Sequence, residues 1–246
     1  YPLSYQEMLM TDGRLHEDRL LSHRMIYGYY PEVVTSEGDE LELLKLLADS
    51  YLFKDIFLLE QIKKPPLVEK IIRALALQVG NEVSYNEVAR LVSADNQTVE
   101  KYIDLMEKAF IIHRLHALKR NLRNEISRGI KIYFWDNGIL NAIIGNFNNL
   151  SSRSDTGTLW ENFVVSERRK YLANNAIYAK SYFWRTSIQQ EIDYIEELNV
   201  AFSACEIKWN PLRKVSFSKS FIDNYPIQET RVINPATLGD WIGSSL

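Results

Sequence analysis

The stretch EIDYIEELNVAFSACEIKW, residues 191–209, decides the fold that we predict for this chain. Its apolar residues recur at alternate positions, which indicates two consecutive strands, Glu191–Ile195 and Val200–Trp209. Neighbouring side chains of a strand point to opposite faces of a sheet, so Glu206 and Lys208 share one face of the second strand. The apolar residues that alternate with them face the other side.

The segments around this stretch complete a mixed unit of helices and strands. Their patterns predict a helix at Thr158–Leu172, a strand at Ile177–Trp184, a helix at Val215–Asn224 and a strand at Gln228–Asn234. The order of elements in the C-terminal part of the chain, residues 145–246, is therefore α-β-β-β-α-β. We predict an α/β (α+β) fold for it.

Charged residues occupy particular places in this order. Asp193 lies in the second predicted strand, and Glu206 and Lys208 lie in the third. Two carboxylates can hold Mg²⁺, which polarises a phosphate and acidifies a water, while a nearby ammonium positions that water or offsets developing charge. Glu161 ends a Gly-x-x-x-Glu sequence at the start of the preceding helix. We predict that these four residues are catalytic and that the three carboxylates bind the metal.

This order of elements, with these charged residues, resembles the core of the PD-(D/E)XK nucleases, the restriction-endonuclease-like fold. The resemblance implies Mg²⁺-dependent cleavage of DNA. The motif is short, and two alternatives stay open. The fold can persist without the chemistry, or Glu206 and Lys208 are solvated residues of a half-exposed sheet. Further carboxylates, Glu191, Glu196 and Glu197, crowd the area and could repel a phosphate backbone.

The middle of the chain, residues 63–144, predicts a winged helix-turn-helix that begins near Lys63-Lys64-Pro65-Pro66. Its predicted elements are, in chain order, helices at Leu67–Val79 and Ser84–Val92, a third helix that carries Val99 and Met106, and strands at Phe110–Leu118 and Lys131–Trp135. Three helices with a tight turn between the last two, followed by a hairpin, are typical of this motif. Ser84 and Glu87 are expected to form a capping box at the second helix.

The loop of the predicted hairpin is the candidate nucleic-acid surface. Its basic residues are Lys119, Arg120, Arg123 and Arg128. The third helix carries several acidic residues against its lysines, so it is poorly suited to lie beside phosphates. Winged helices also serve as joints between proteins, so DNA and a protein partner both stay open.

Residues 1–62 are predicted to be mainly helical, with leucine-rich stripes on either side of a break at Tyr27-Gly28-Tyr29-Tyr30-Pro31. The chain opens at Tyr1 without an initiator methionine, which we interpret as the sign of a piece of a longer protein. We therefore divide the chain into 1–62, 63–144 and 145–246.

Composition favours a soluble, cytoplasmic protein. The hydrophobic fraction is 46% and the charged fraction 25%, which is ordinary for globular domains. No apolar run approaches the roughly 20 residues that a membrane span requires. The single cysteine, Cys205, excludes an internal disulfide and a cysteine-based zinc site, and strand alternation predicts that it is a buried core thiol.

Charge and motifs limit the other functions. A net charge of -3 gives no global attraction to nucleic acid. None of the four histidines is expected to have a metal-ligand spacing with acidic partners. No glycine is followed by a lysine, so the chain lacks the phosphate-binding loop through which many ATPases hold ATP.

Nearly the whole chain resembles a prokaryotic family of AAA+ ATPases whose tail is a domain of unknown function. The segments that carry this resemblance are 2–7, 27–32, 51–56, 131–138, 157–161, 182–186, 191–193 and 206–208. The resemblance implies a nucleotide-binding domain in front of this chain, with Mg-ATP as its ligand, and a restriction-endonuclease-like tail. It implies no substrate. The tail could cleave DNA, or it could be a recognition and assembly module that binds nucleic acid, a protein partner or further copies of itself under the control of the missing domain.

Overall fold

Six strands form one mixed sheet in the part of the chain that this computed structural model describes, residues 1–51, 65–118 and 129–243. The strands are β1 (Ile112–Ala117), β2 (Ile130–Phe134), β3 (Lys180–Arg185), β4 (Glu191–Leu198), β5 (Ala201–Ile207) and β6 (Ile227–Ile233). Their order across the sheet is β2-β1-β3-β4-β5-β6. Pairs β1–β3 and β5–β6 are parallel and the others are antiparallel. The predicted mixed class of helices and strands is confirmed.

The predicted wing and the predicted nuclease-like part share this sheet. Strand β1 pairs in parallel with β3, with His116 opposite Tyr182 and Ala117 opposite Phe183. Strands from residues 63–144 and from 145–246 therefore belong to one hydrogen-bonded layer. The division of the chain into three domains stays a prediction.

Eleven α-helices surround the sheet in the described residues. They are α1 (Tyr5–Asp12), α2 (Arg14–Tyr27), α3 (Pro31–Val34), α4 (Glu40–Leu46), α5 (Pro65–Ala76), α6 (Tyr85–Val92), α7 (Asn96–Lys108), α8 (Asn137–Ile144), α9 (Thr156–Asn174), α10 (Lys219–Asn224) and α11 (Leu238–Gly243). A π-helical turn, Leu47–Tyr51, follows α4, and a 3-10 turn lies at Leu150–Ser152. Residues 1–51 of the N-terminal segment are mainly helical as predicted, with Gly28 as the C-cap of α2, and residues 52–62 lie outside the described residues.

The three middle helices occur in the predicted order before the hairpin, but one predicted cap is wrong. Ser84 precedes α6 without a side-chain capping bond. The N–H of Glu87 donates to the backbone carbonyl of Ser84 at 3.0 Å instead, so it needs no hydroxyl acceptor. A capping box is formed elsewhere, by Ser4 and Glu7 at α1.

Side chains cover both faces of the C-terminal strands. Tyr194, Cys205 and Ile207 belong to the large core, which includes residues of α9. Phe202 and Ala204 belong to a second, smaller cluster that includes residues of α10. Cys205 is 1% exposed, so the predicted buried thiol is confirmed.

Two of the segments that carry the family resemblance form a buried joint between helix α2 and the turn after β2. The carboxylate of Asp136 accepts a hydrogen bond from the backbone N–H of Tyr29 at 2.7 Å. Gly28 has a φ of +73°, and a Cβ there would overlap the Asp136 carboxylate. A Cβ on Gly138 would overlap the carbonyl of Tyr27. The close packing of this joint therefore leaves no space for a side chain at Gly28 or at Gly138.

Candidate metal site

Asp193, Glu206 and Lys208 converge at one end of strands β4 and β5. The ammonium of Lys208 lies 2.5 Å from Asp193 Oδ2 and 2.8 Å from Glu206 Oε2. The backbone N–H of Ile207 donates to the same Asp193 oxygen at 2.8 Å. Antiparallel pairing of the two strands, with Tyr194 opposite Cys205, brings these positions together. The three residues form a compact cluster of two carboxylates and one ammonium.

Glu206 is the carboxylate whose protonation this cluster changes most clearly. Glu206 is 8% exposed, so it is not a solvated residue of a half-exposed sheet, as the alternative interpretation required. Burial, and next the charge of Asp193, raise the pKa of Glu206 to about 7, although Lys208 opposes this. At neutral pH Glu206 therefore holds a proton about half of the time, because burial and a neighbouring carboxylate both disfavour its charged form.

Glu161 lies in the second turn of α9 and accepts hydrogen bonds from strand β2 of the hairpin. Its Oε1 accepts a hydrogen bond from the hydroxyl of Tyr133 at 2.6 Å and from the ammonium of Lys131 at 3.2 Å. Lys131 also lies 2.8 Å from Glu191 Oε1. The side chain of Lys131 is 3% exposed, whereas those of Glu161 and Glu191 are 18% and 31% exposed, so the ammonium is buried beside partly exposed carboxylates.

These two clusters influence one another electrostatically. Burial raises the pKa of Glu161, Lys131 lowers it, and the charge of Asp193 raises it further. Burial lowers the pKa of Lys131, but Glu161 and Glu191 outweigh burial, so the pKa is raised overall and the side chain stays charged. The acidic centre thus extends from the end of β5 to strand β2.

Lys131 and Tyr133 are members of this centre that sequence reasoning missed, and Glu191 was expected only to crowd the site. Strand alternation places Lys131 and Tyr133 on the same face of β2, and the segment 131–138 carries part of the family resemblance. The sequence therefore contained the evidence that Lys131 and Tyr133 share a face. Their partner Glu161 could not be assigned without the pairing of β1 with β3.

The residues fit a divalent ion through Asp193 and Glu206. Mg²⁺ is usually held by one or two carboxylates together with waters and substrate phosphates, and both side chains lie within 2.8 Å of the same Lys208 ammonium. Glu161 has its own donors in Tyr133 and Lys131. Its role as a third metal ligand stays a prediction.

Among the described residues, Asp12, His16 and Glu17 form the one set of three side chains whose ligand atoms lie close enough together to hold a metal, and Asp193, Glu206 and Glu161 do not form such a set. Single atoms of Asp12, His16 and Glu17 lie within 4.8 Å of one another. The expectation that no histidine has such a spacing is therefore wrong for His16. Glu17 is fully buried and already accepts hydrogen bonds from Arg24 and Tyr29, so this carboxylate is not free for an ion.

The predicted nucleic-acid contacts Lys119, Arg120, Arg123 and Arg128 lie outside the described residues. Arg114, in the adjacent strand β1, is described. It pairs with Asp104 and Glu107 of α7. The acidic residues of the third helix thus neutralise a nearby arginine within the molecule.

The chain matches the models of two known protein families. Residues 18–150 match the model of a domain of unknown function, DUF8612. This match covers more than half of the chain, so the chain belongs to that family. Residues 156–243 match a second domain of unknown function, DUF4143. Lys131 thus lies in the first matched region, and Glu161, Asp193, Glu206 and Lys208 lie in the second.

Three curated bacterial proteins, each described as uncharacterized, are similar to the chain. One from Haemophilus influenzae is 28% identical over 156 residues, which is 59% of this chain and 39% of the relative. Proteins from Mycobacterium bovis and Mycobacterium tuberculosis are each 30% identical over 146 residues, 58% of this chain and 32% of the relative. The match therefore spans well under half the length of each relative. No solved structure matches the chain.

None of the described helices combines the length and the apolar character that crossing a membrane requires.

Proposed function

We propose that Asp193, Glu206 and Lys208 form a Mg²⁺-dependent site that cleaves phosphodiester bonds of DNA. The convergence of the three side chains on neighbouring strands carries this proposal, since the Lys208 ammonium lies within 2.8 Å of both carboxylates. The charge balance supports it as well. Four carboxylates (Glu161, Glu191, Asp193 and Glu206) face two lysines, so a divalent cation would offset the excess when all four are ionised.

The proposed roles follow from the chemistry of each side chain. Asp193 and Glu206 would hold the ion, and Glu206 must first lose the proton that its raised pKa lets it keep near neutrality. A bound Mg²⁺ supplies Lewis acidity and a more acidic water. Lys208 donates hydrogen bonds, so it would orient the attacking water or a phosphate oxygen once the carboxylates turn toward the ion.

Cleavage of supercoiled plasmid and of linear DNA, with Mg²⁺ or Mn²⁺, tests this proposal. Lys208→Ala is expected to lose cleavage by at least about a hundredfold, in the range seen when a group that stabilises developing charge is removed. Lys214→Ala, at an exposed lysine of the following loop, is the matched control and should cleave like the parent. Equal cleavage by Lys208→Ala and the parent would refute the assignment of this site.

DNA would be held by the hairpin in this proposal. Its basic residues, Arg120 and Arg123 among them, supply the local positive charge that the net charge of -3 does not. The double variant Arg120→Ala and Arg123→Ala should bind DNA more weakly. The logarithm of its association constant should also fall less steeply with the logarithm of the salt concentration. DNA binding that does not depend on salt would remove the hairpin from the proposal.

We also propose that the chain works as the part of an AAA+ ATPase that follows its nucleotide-binding core. Domains of the DUF4143 family are often the C-terminal part of AAA-ATPase-like proteins. The relatives are much longer than the matched stretch, which leaves room for such a core. Purified full-length protein should hydrolyse ATP, and the present chain alone should not. ATP hydrolysis by this chain alone would contradict the proposal.

A non-catalytic recognition and assembly module is the second candidate. Its supporting observation is that two internal ammonium groups, those of Lys131 and Lys208, already pair with the carboxylates. Such pairs can stabilise a fold without any metal. This candidate predicts DNA or protein binding with no metal-dependent cleavage. Cleavage that is lost in Lys208→Ala would rule it out.

A further inference from the structure

Lys131 occupies a position in the acidic centre that resembles the place of a bound cation. Its ammonium lies 3.2 Å from Glu161 Oε1 and 2.8 Å from Glu191 Oε1, with the ring of Phe183 at 5.3 Å. The charge of Asp193 also acts on it. Carboxylates from two separate elements, α9 and β4, thus share one positive group supplied by a third element, β2.

The two lysines of the centre differ in how firmly they are held. Lys131 is 2% exposed and lies within strand β2, where it is paired with β1 and bridged to Glu82. Lys208 has a side chain that is 19% exposed, and it follows the last residue of β5. Lys208 can therefore move aside for an ion, whereas displacement of Lys131 would leave a buried ammonium without its partners, which is costly.

We propose that the site binds one divalent ion, on Asp193 and Glu206, and that the Lys131 ammonium permanently takes the place of a second ion between Glu161 and Glu191. This inference rests on the proposed function, which supplies the first ion. It makes Lys131 a positioning residue, and it removes Glu161 from the metal ligands. Many phosphodiester-cleaving sites use two ions about 3.5–4 Å apart. Here the Lys131 ammonium takes the place of one of the two ions.

The number of Mn²⁺ ions bound per chain, measured by electron paramagnetic resonance and by calorimetry, tests the inference without any activity assay. Every protein should carry His16→Ala, so that the neighbouring side chains of Asp12 and His16 add no ion to the count. In that background the parent is expected to bind one Mn²⁺. Lys131→Ala is expected to bind two, and Lys131→Arg, which keeps the charge, is expected to bind one.

Lys131→Ala leaves the partly buried carboxylates of Glu161 and Glu191 without their cation and could fail to fold, so a second measurement is needed. Glu161→Gln in the parent should change the Mn²⁺ dissociation constant by less than about threefold, whereas Asp193→Asn should weaken binding by at least about tenfold, the smallest loss usual for outer-shell changes at metal sites. A tenfold loss in Glu161→Gln would make Glu161 a ligand and overturn the inference.

The outcomes separate this inference from the proposed function. Two Mn²⁺ ions bound by the parent, with binding lost in Glu206→Gln, would overturn the role of Lys131 and leave the proposed nuclease site standing. No Mn²⁺ bound by the parent would overturn both. One ion in the parent and a second in folded Lys131→Ala would support both.

Discussion

The ammonium of Lys131 in strand β2 lies 3.2 Å from the carboxylate of Glu161 in helix α9. This ion pair connects the hairpin, whose β2 strand lies in the DUF8612 match, with the part of the chain that matches DUF4143. A change in one part can therefore alter the acidic centre of the other. The parallel pairing of β1 with β3 makes this contact possible, because it places the hairpin beside the strands of the proposed site.

Lys131→Met should destabilise the protein strongly. It leaves Glu161 and Glu191 without their cation, and loss of one partner of a buried pair costs about 3–5 kcal/mol. We expect the melting temperature to fall by roughly 6–20 °C, because each kcal/mol shifts it by about 2–4 °C for a chain of this size. Thermal unfolding followed by circular dichroism measures this. Lys180→Met, at an exposed lysine of β3, is the control and should change stability by less than about 0.5 kcal/mol. Equal melting temperatures for the two variants would contradict the prediction.

Metal affinity should rise with pH near neutrality. The pKa of Glu206 is raised to about 7, first by burial and then by Asp193, and the protonated carboxyl must lose its proton to bind an ion. Below pH 7 the Mn²⁺ association constant should therefore increase by about tenfold per pH unit, and above pH 8 it should level off. Calorimetric titrations at pH 6, 7 and 8 in the His16→Ala background measure this. Affinity that is constant from pH 6 to 8 would contradict the raised pKa.

Stability without metal should show the opposite dependence on pH. Because the folded-state pKa of Glu206 lies above its unfolded value, the folded protein holds more protons between about pH 4.5 and 7. The stabilisation from that bound proton is complete below pH 4.5 and is lost as the pH rises through 7. Glu206→Gln mimics the protonated group, so its advantage in melting temperature over the parent should grow from pH 5 to pH 8. A constant difference would show that Glu206 does not titrate in this range.

The order of elements could be predicted from the sequence because periodicity is a local property. Alternation in residues 191–209 is sufficient to place Glu206 and Lys208 on one face of the strand predicted at Val200–Trp209, and the neighbouring strand brings Asp193 close. Boundaries were less predictable. The helix expected at Val215–Asn224 begins only at Lys219, because the backbone at Ser218 is extended.

The rest of the centre depends on pairing between distant segments. Lys131 and Tyr133 reach Glu161 only because β1 pairs with β3, and no local pattern specifies that parallel pair. The same limit explains the joint at Asp136, whose partner Tyr29 lies 107 residues earlier in the chain. Sequence patterns show which side chains share a face of an element. They do not show which other element that face meets.

Gly28→Ala should destabilise the fold through two separate effects that a second glycine can separate. Gly28 has a φ of +73°, and a Cβ there would overlap the carboxylate of Asp136, which is itself held by the N–H of Tyr29. Gly13 has a similar φ of +83°, but a Cβ there meets nothing within 4 Å. Gly13→Ala therefore measures the backbone strain alone, about 1–3 kcal/mol in this extended region of positive φ. Gly28→Ala should cost that amount and about 1–3 kcal/mol more for the overlap.

Chemical denaturation of both variants, with the slope against denaturant held comparable, gives the two free energies of unfolding. Asp136→Ala combined with Gly28→Ala provides the decisive comparison, because removal of the carboxylate removes the overlap but not the strain. The Gly28→Ala cost in that background should fall to the Gly13→Ala value. If it stays at its full value, the joint between α2 and the turn after β2 does not depend on the fit of Gly28 against Asp136, and strain in the backbone explains the glycine.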